Sequence, residues 1–315
     1  MTVAYNEMVS RGQVIVFPSG AESMVIPTEG TDPLWYLIAQ AGDPTGATVR
    51  VANTVPAKAL GTGSVTMTLG KLGSGTPYTG EMVEDSMLPF VDALRRQIMV
   101  SFSEVLDHVL IDGDTDTTNV TNINYIDGQP TTQPYLIFNG FRKSPLITTT
   151  ANSRDGGVLT SSDYIETIKL LGAAGLGAID MTAVSFLVDP LTHYKSLELA
   201  DVKSRDVFQA ATIENGRLTN IYGYPVLVAA NMCKDSTSRL SNAAGKVDFG
   251  TQGNNTKGSI LAVRWDRWKM GIRRQLTTEV ERVPRSDSWE ITSLFRAGLI
   301  QSGTEGAAIT YNLTV

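Results

Sequence analysis

The spacing of apolar and polar positions changes several times along the chain, and each change marks an element. Over residues 1–45 the apolar residues come in short pieces, Val14-Ile15-Val16-Phe17 and Leu34-Trp35-Tyr36-Leu37-Ile38, separated by Pro18, Pro27, Pro33 and Pro44. Proline at that spacing interrupts both helices and sheet ladders, so this stretch reads as an extended arm with brief docking segments. Two runs of period two follow. Val49, Val51 and Val55 share one face of the first, and Val65, Met67 and Leu69 one face of the second, with Thr48, Arg50, Thr54, Thr66 and Thr68 opposite. Residues 56–63 between them are rich in turn formers, and the pattern predicts a long β-hairpin flanked by hinges at 43–46 and 70–80. A two-stranded hairpin is marginal in water. The apolar strands of residues 1–80 are therefore expected to lie on a second copy of the chain.

Period two then gives way to a helical period. Met87, Val91, Leu94, Ile98, Phe102, Val105 and Val109 recur every three or four residues and predict a helix over 87–112. Ser86 suits its cap, Pro89 its first turn and Gly113 its exit. At 1.5 Å per residue such a helix runs roughly 40 Å, long enough to act as a strut. After a loop rich in Thr, Asn and Asp (114–134), Ser162 opens a helix carrying Tyr164, Ile165, Ile168 and Leu171, which ends in the glycines of 172–177. Residues 183–188 read as a buried strand, followed by Asp189 as helix cap and Pro190 at the first helical position, with Leu191, Tyr194 and Leu197 along one face. Residues 217–221 and 225–229 flank Tyr222-Gly223-Tyr224 as a hairpin, and 236–257 is polar and reads as an exposed loop. Strand character returns in 260–263, 276–283, 289–300 and 307–315. Ser293 interrupts the alternation in 289–300, which leaves a helix as the alternative there. The class is α+β, without internal repeats.

Composition narrows the function. A chain of 315 residues exceeds the usual size of a single core, so two lobes are expected. With 42% hydrophobic and 18% charged residues it belongs with folded proteins. No apolar run approaches the roughly 18 residues of a membrane span, and residues 1–20 lack the pattern of a secretory signal, so no membrane partner is expected. Cys233 is the only cysteine, which excludes an intramolecular disulfide and a cysteine-rich metal site and fits a reducing cytoplasm. A net charge of -6 argues against affinity gained by neutralising phosphates.

Catalytic machinery is not legible. His108 and His193 lie on predicted helices away from paired carboxylates, and the adjacent Asp107 and His108 point in different directions. Gly70-Lys71 lacks the first glycine of a phosphate loop, Gly172, Gly175 and Gly177 follow a helix instead of a strand, and no serine sits in a nucleophile elbow. The chain reads as no enzyme and as needing no cofactor. Arg264, Arg267, Lys269, Arg273, Arg274, Arg282 and Arg285 are interleaved with Asp266, Glu279 and Glu281, the mixture of a solvated face or of ion pairs bridging subunits. Candidate interface residues are thus Val49, Val51, Val65, Met67 and Leu69 on the hairpin, and Arg273, Arg274, Glu279 and Arg282 on the later strands.

The order of arm, hairpin, long helix, inserted α/β lobe and returning strands resembles a family, and local motifs carry the likeness. Val91-Asp92-Ala93-Leu94-Arg95-Arg96-Gln97 runs into Leu110-Ile111-Asp112-Gly113-Asp114, a helix ending in an acidic Gly-Asp loop. Phe186-Leu187-Val188-Asp189-Pro190 precedes a helix, and Gly216-Arg217-Leu218-Thr219-Asn220-Ile221-Tyr222-Gly223-Tyr224-Pro225-Val226 forms a hairpin motif. Trp265-Asp266-Arg267, Glu279-Val280 and Ser293-Leu294-Phe295-Arg296-Ala297-Gly298-Leu299 follow near the end. In order and spacing these are similar to the tailed-phage (Caudoviricetes) major capsid proteins of the Hong Kong ninety-seven phage fold, which encapsulin nanocompartments share.

The resemblance implies an N-terminal arm (1–45), an extended loop (46–80), a peripheral domain (81–155 and 258–315) with the spine helix 87–112, and an axial domain (156–257). It implies a subunit that self-assembles into pentamers and hexamers, closing an icosahedral shell around double-stranded DNA held without sequence-specific binding. Portal, scaffolding and decoration proteins would be its partners, and the virion, assembled in the host cytoplasm, its location. An encapsulin-type nanocompartment shell is the alternative. No helical scaffolding segment precedes the arm, so the resemblance implies either a separate scaffolding protein or a processed end.

Overall fold

The computed structural model of the chain describes residues 2–18, 20–29, 61–85, 90–117, 121–125, 132–172, 181–203, 213–214, 217–232, 247–248 and 256–315. The chain divides into two compact units, residues 25–66 and the remainder. Strands β1 (Gln13–Val16), β2 (Ser23–Glu29), β3 (Thr62–Thr68) and β4 (Gly70–Thr79) precede the long helix Phe90–Asp112. After it come β5 (Asn124–Tyr125) and β6 (Ser153–Asp155), the helix Ser162–Lys169, β7 (Val184–Val188) and the helix Pro190–Glu198. Short strands β8 (Ile213–Glu214), β9 (Arg217–Leu218), β10 (Asn220–Ile221), β11 (Tyr224–Val228) and β12 (Val247–Asp248) follow. The chain closes with β13 (Gly258–Arg264), β14 (Trp268–Val283), β15 (Ser288–Gln301) and β16 (Ala307–Leu313).

Two sheets organise the larger unit. The six-stranded sheet runs β10-β11-β7-β13-β16-β6, and alternate residues of its central strands feed two cores. Leu187, Leu261, Val263, Ala307 and Ile309 join the core under the long helix. Phe186, Val188, Ile260, Ala262 and Ala308 join the other, with Tyr164, Ile168 and Tyr224. This is the burial on both faces expected of an apolar central strand, and β7 and β13 are buried at every position. The four-stranded sheet runs β1-β14-β15-β4. Its inner residues Phe295, Ala297 and Leu299 pack toward the long helix, where Phe102 meets Phe295 edge to face at 5.0 Å.

Several sequence expectations meet their elements here. Asp189 caps Pro190–Glu198 by accepting from the Leu191 and Thr192 amides at 3.1 and 3.0 Å. β10 and β11 pair across Tyr222 and Gly223, both left-handed at φ 52° and 82°. Residues 289–300 form a strand and not a helix. Ser293 keeps the alternation because it is buried with Ile291 and Phe295 and its hydroxyl lies 3.2 Å from that of Thr278. The long helix is observed from Phe90. Its expected cap Ser86 and first-turn Pro89, and the exposed loop expected over 236–246 and 249–255, lie outside the described residues.

Other expectations are corrected. Residues 3–11 form a helix, Val3–Arg11, instead of an extended arm, with Ala4 and Met8 buried against the long helix. Nine residues are too few for a helix to persist by itself, so packing supplies the stability that local propensity lacks. Residues 13–16 do dock as a strand, but on their own chain, parallel to β14 at Gln13↔Lys269 to Val16↔Ile272. Residues 70–79 are no hinge: β4 pairs with β15 along its whole length, from Gly70↔Ala297 to Thr79↔Ser288. β3 pairs with β2, while the other expected hairpin strand, 49–55, lies outside the described residues. Residues 13–16 and 70–79 thus pair their backbones within the chain, and Ala4, Met8, Phe17 and Met67 are buried there, whereas Val9, Val14 and Val16 stay exposed. On Pro190–Glu198 the buried residues are Thr192, His193 and Ser196, whereas Tyr194 is exposed. A polar face turns inward because Ser196 Oγ lies 2.7 Å from the buried Tyr164 hydroxyl. Finally, β13 and β16 share a sheet with β7 and β11, so strands assigned to different lobes by sequence are hydrogen-bonded neighbours.

Candidate functional site

Charged groups concentrate where the long helix ends. Asp112 and Arg142 are fully buried and paired at 2.7 Å, with His108 Nε2 at 3.8 Å from Asp112. Asp114 pairs with Lys143 and accepts from the Ile123 amide at 2.9 Å. Backbone bonds from Phe141 to Leu110 and from Arg142 to Ile111 lock residues 140–142 to the last turn. Gly113 and Gly140 permit this approach, since a Cβ on Gly113 would sit 2.4 Å from the Phe138 carbonyl oxygen. Burial pulls the Arg142 pKa down against the opposing pull of Asp112, and burial with the Asp114 charge raises that of Tyr135. The Gly-Asp motif at the helix end thus builds a buried clamp.

Asp107 faces the N-terminal helix instead of His108. Its Oδ1 accepts from the Ala4 amide at 2.7 Å and the Tyr5 amide at 3.2 Å, capping that helix from a residue more than a hundred positions away. A cleft of about 790 Å³ opens between the long helix and the edge of β4, lined by Leu72, Leu94, Ile98, Phe102, Ile137 and Phe295 among others. Among the described residues that line it, Lys71 is the one titratable group. Among the described residues no group of three or more His, Cys, Asp or Glu could hold a metal ion, and no helix is long and apolar enough to cross a membrane.

The interface candidates separate when placed on the fold. Val49 and Val51 lie outside the described residues, as does Cys233. Val65 and Leu69 are half-buried. Met67 is a correction: it is fully buried in its own chain, in a notch left by the cross-strand glycines Gly271 and Gly298, which Phe17 also enters. Arg273 is likewise engaged within the chain, donating from Nη1 to the Ala21 carbonyl oxygen. Arg274, Glu279 and Arg282 are exposed on the outer half of β14. Arg282 pairs with Asp287 at 3.2 Å and lies over the Trp289 ring at 5.8 Å. Of the basic cluster, Arg264 is buried between Asp266, at 2.9 Å, and Glu305, at 3.6 Å. Sequence reasoning missed Arg142, Lys143 and the capping role of Asp107 because their partners come from distant parts of the chain.

No family model matches the sequence, and the curated proteins contain no match to it. Solved structures do match. A chain of Microbacterium phage Oxtober96 superimposes with a TM-score of 0.63 at 14% identity, over 96% of this chain and 90% of that one. The capsid of the native GTA particle gives 0.59 at 13%, over 100% and 91%. The mature capsid of bacteriophage PhiM1 gives 0.62 at 12%, over 98% and 86%. At such identities the likeness rests on the path of the backbone. The long helix, the four-stranded sheet beside it and the six-stranded sheet behind it therefore constitute an α+β fold of the kind found in phage capsid chains.

Proposed function

We propose that the chain is a major capsid protein of a tailed phage, with the Hong Kong ninety-seven phage fold, and that copies of it close into an icosahedral shell. The observation that carries this is the extent of the likeness: it runs through the whole chain and through nine-tenths of the GTA capsid chain. In this reading five or six copies meet through the lobe built on the six-stranded sheet, in which β13 and β16 join the strands of 156–257, to form pentamers and hexamers, while the long helix and the four-stranded sheet form the peripheral lobe. The first 80 residues reach neighbouring copies where their own chain does not cover them. Each contact can be weak, because every subunit makes several at once.

The shell encloses double-stranded DNA, and a net charge of -6 suits a wall along which DNA slides. The chain acts as no enzyme and requires no cofactor; portal, scaffolding and decoration proteins are its partners, and the virion its destination. The named structural relatives come from phages and GTA particles, which favours a viral shell over a nanocompartment. Electron microscopy of the purified, recombinantly expressed protein tests the reading. Closed particles are expected, and a chain that stays monomeric under all assembly conditions overturns it.

A further inference from the structure

The four-stranded sheet has an inner face, carrying Leu72, Ile291 and Phe295, and an outer face that Phe17 and Met67 cover at Gly271 and Gly298 and on which, beyond them, charge is sorted along the strands. The register sets Arg274, Arg296 and Lys71 directly opposite one another across β14, β15 and β4, a row of three cations. Six positions along β15, Glu281 and Glu290 stand opposite each other, with Glu279 beside them on the same face. Like charges directly opposite across strands destabilise a sheet. None of these six side chains forms an ion pair among the described residues, and the nearby Arg282 is turned toward Asp287. Arg296 Nε is moreover buried without a hydrogen-bond partner. At 3.3 Å per residue the two charge groups are about 20 Å apart. Screening at physiological salt acts over about 8 Å, so neither group relieves the other within one chain.

We propose that this outer face is a two-fold contact between two copies of the chain, an inference that rests on the self-assembly reading above. A two-fold axis lying between two such faces, perpendicular to the strands, stacks β14 on β14 and β15 on β15 with their directions reversed. Arg296 then meets Glu290 of a second copy, Arg274 meets Glu281 of a second copy, and symmetry makes each pair twice. Between the charge groups the exposed Gly73 and Gly75 have no side chains and Thr292 and Leu294 are already half-buried, so no bulky exposed side chain stands there between the two faces. Charges arranged in this way set register and encounter rate more than affinity.

Charge reversal supplies the test. Arg296→Glu and Glu290→Arg are each expected to weaken association about tenfold or more in sedimentation velocity. The double variant R296E/E290R restores it, because within a pair of copies the charges are again opposite. No intrachain effect explains that rescue, as the two positions do not touch. A second measurement uses R274C/E281C in a chain carrying C233S: because facing backbones stand too far apart for a disulfide, a short bismaleimide cross-linker is used, and it is expected to join copies into a covalent dimer on a denaturing gel. Particles that form normally from this variant without any covalent dimer overturn the two-fold contact and leave the shell reading standing. A native chain that never associates removes both. If E290R leaves assembly intact while R296E abolishes binding of a double-stranded oligonucleotide, the cationic row faces nucleic acid and the two-fold contact is wrong.

Discussion

Asp112 and Arg142 are both out of solvent, so each charge depends on the other and on the groups around the end of the long helix. Replacing Arg142 by Leu strands a carboxylate in the interior and is expected to cost about 3–5 kcal/mol in denaturant unfolding. Joint replacement of both residues by Leu should recover most of that loss, since removing a buried pair together leaves no orphan charge. Tyr164 gives a pH-dependent counterpart. Burial, with smaller contributions from Asp189 and Asp163, raises its pKa against the lowering effect of the Ser196 hydrogen bond. In the unfolded chain a tyrosine ionises near pH 10. The fold holds the proton more tightly, so its contribution to stability is complete below about pH 10 and is lost as pH rises above it. The midpoint of urea unfolding should fall between pH 9 and pH 11, and less steeply for Tyr164→Phe. An equally steep fall in that variant would place the effect elsewhere.

Among the elements, the N-terminal helix depends most on a single distant side chain. Asp107→Ala removes the acceptor for two of its amides and is expected to cost about 1–2 kcal/mol, with faster hydrogen exchange confined to residues 3–11. The notch at Gly271 and Gly298 is a second such point. A Cβ on Gly298 would meet the Thr68 carbonyl oxygen at 2.3 Å, so Gly298→Ala is expected to cost about 1–3 kcal/mol as the end of β3 is forced away. These elements also differ in how much of them could be read in advance. The strand 184–188 with its Asp189 and Pro190 punctuation was legible because apolar run, cap and proline are local signals. β4 was not, because Gly70, Gly73, Gly75 and Pro77 are poor strand formers whose pairing is imposed by β15, more than two hundred residues later. The helix Pro190–Glu198 was legible as a helix but not in its facing, since its buried side was chosen by a hydroxyl on another helix.

For the whole molecule, assembly and its dependence on salt are the expected observables. If the charge rows of the outer sheet face guide copies into register, added salt should slow the onset of light scattering during assembly. The screening length falls from about 10 Å at 0.1 M to about 3 Å at 1 M, below the reach of such steering. An onset unaffected over that range would remove electrostatics from the assembly step.

By itself the amino-acid sequence determined the kinds of element and much of their order: the long helix, the capped strand-helix unit, the glycine hairpin and the closing strands. Each of these is written in periods, caps and turns that act over a few residues. The tertiary structure alone decided which surfaces are spent inside the chain and which remain outside. Met67 and Arg273 are consumed by neighbours brought from far along the chain, whereas Arg274, Glu279 and Glu281 stay exposed. Their cross-strand partners exist only once β4, β14 and β15 lie side by side, because register is a property of paired strands and not of any one of them.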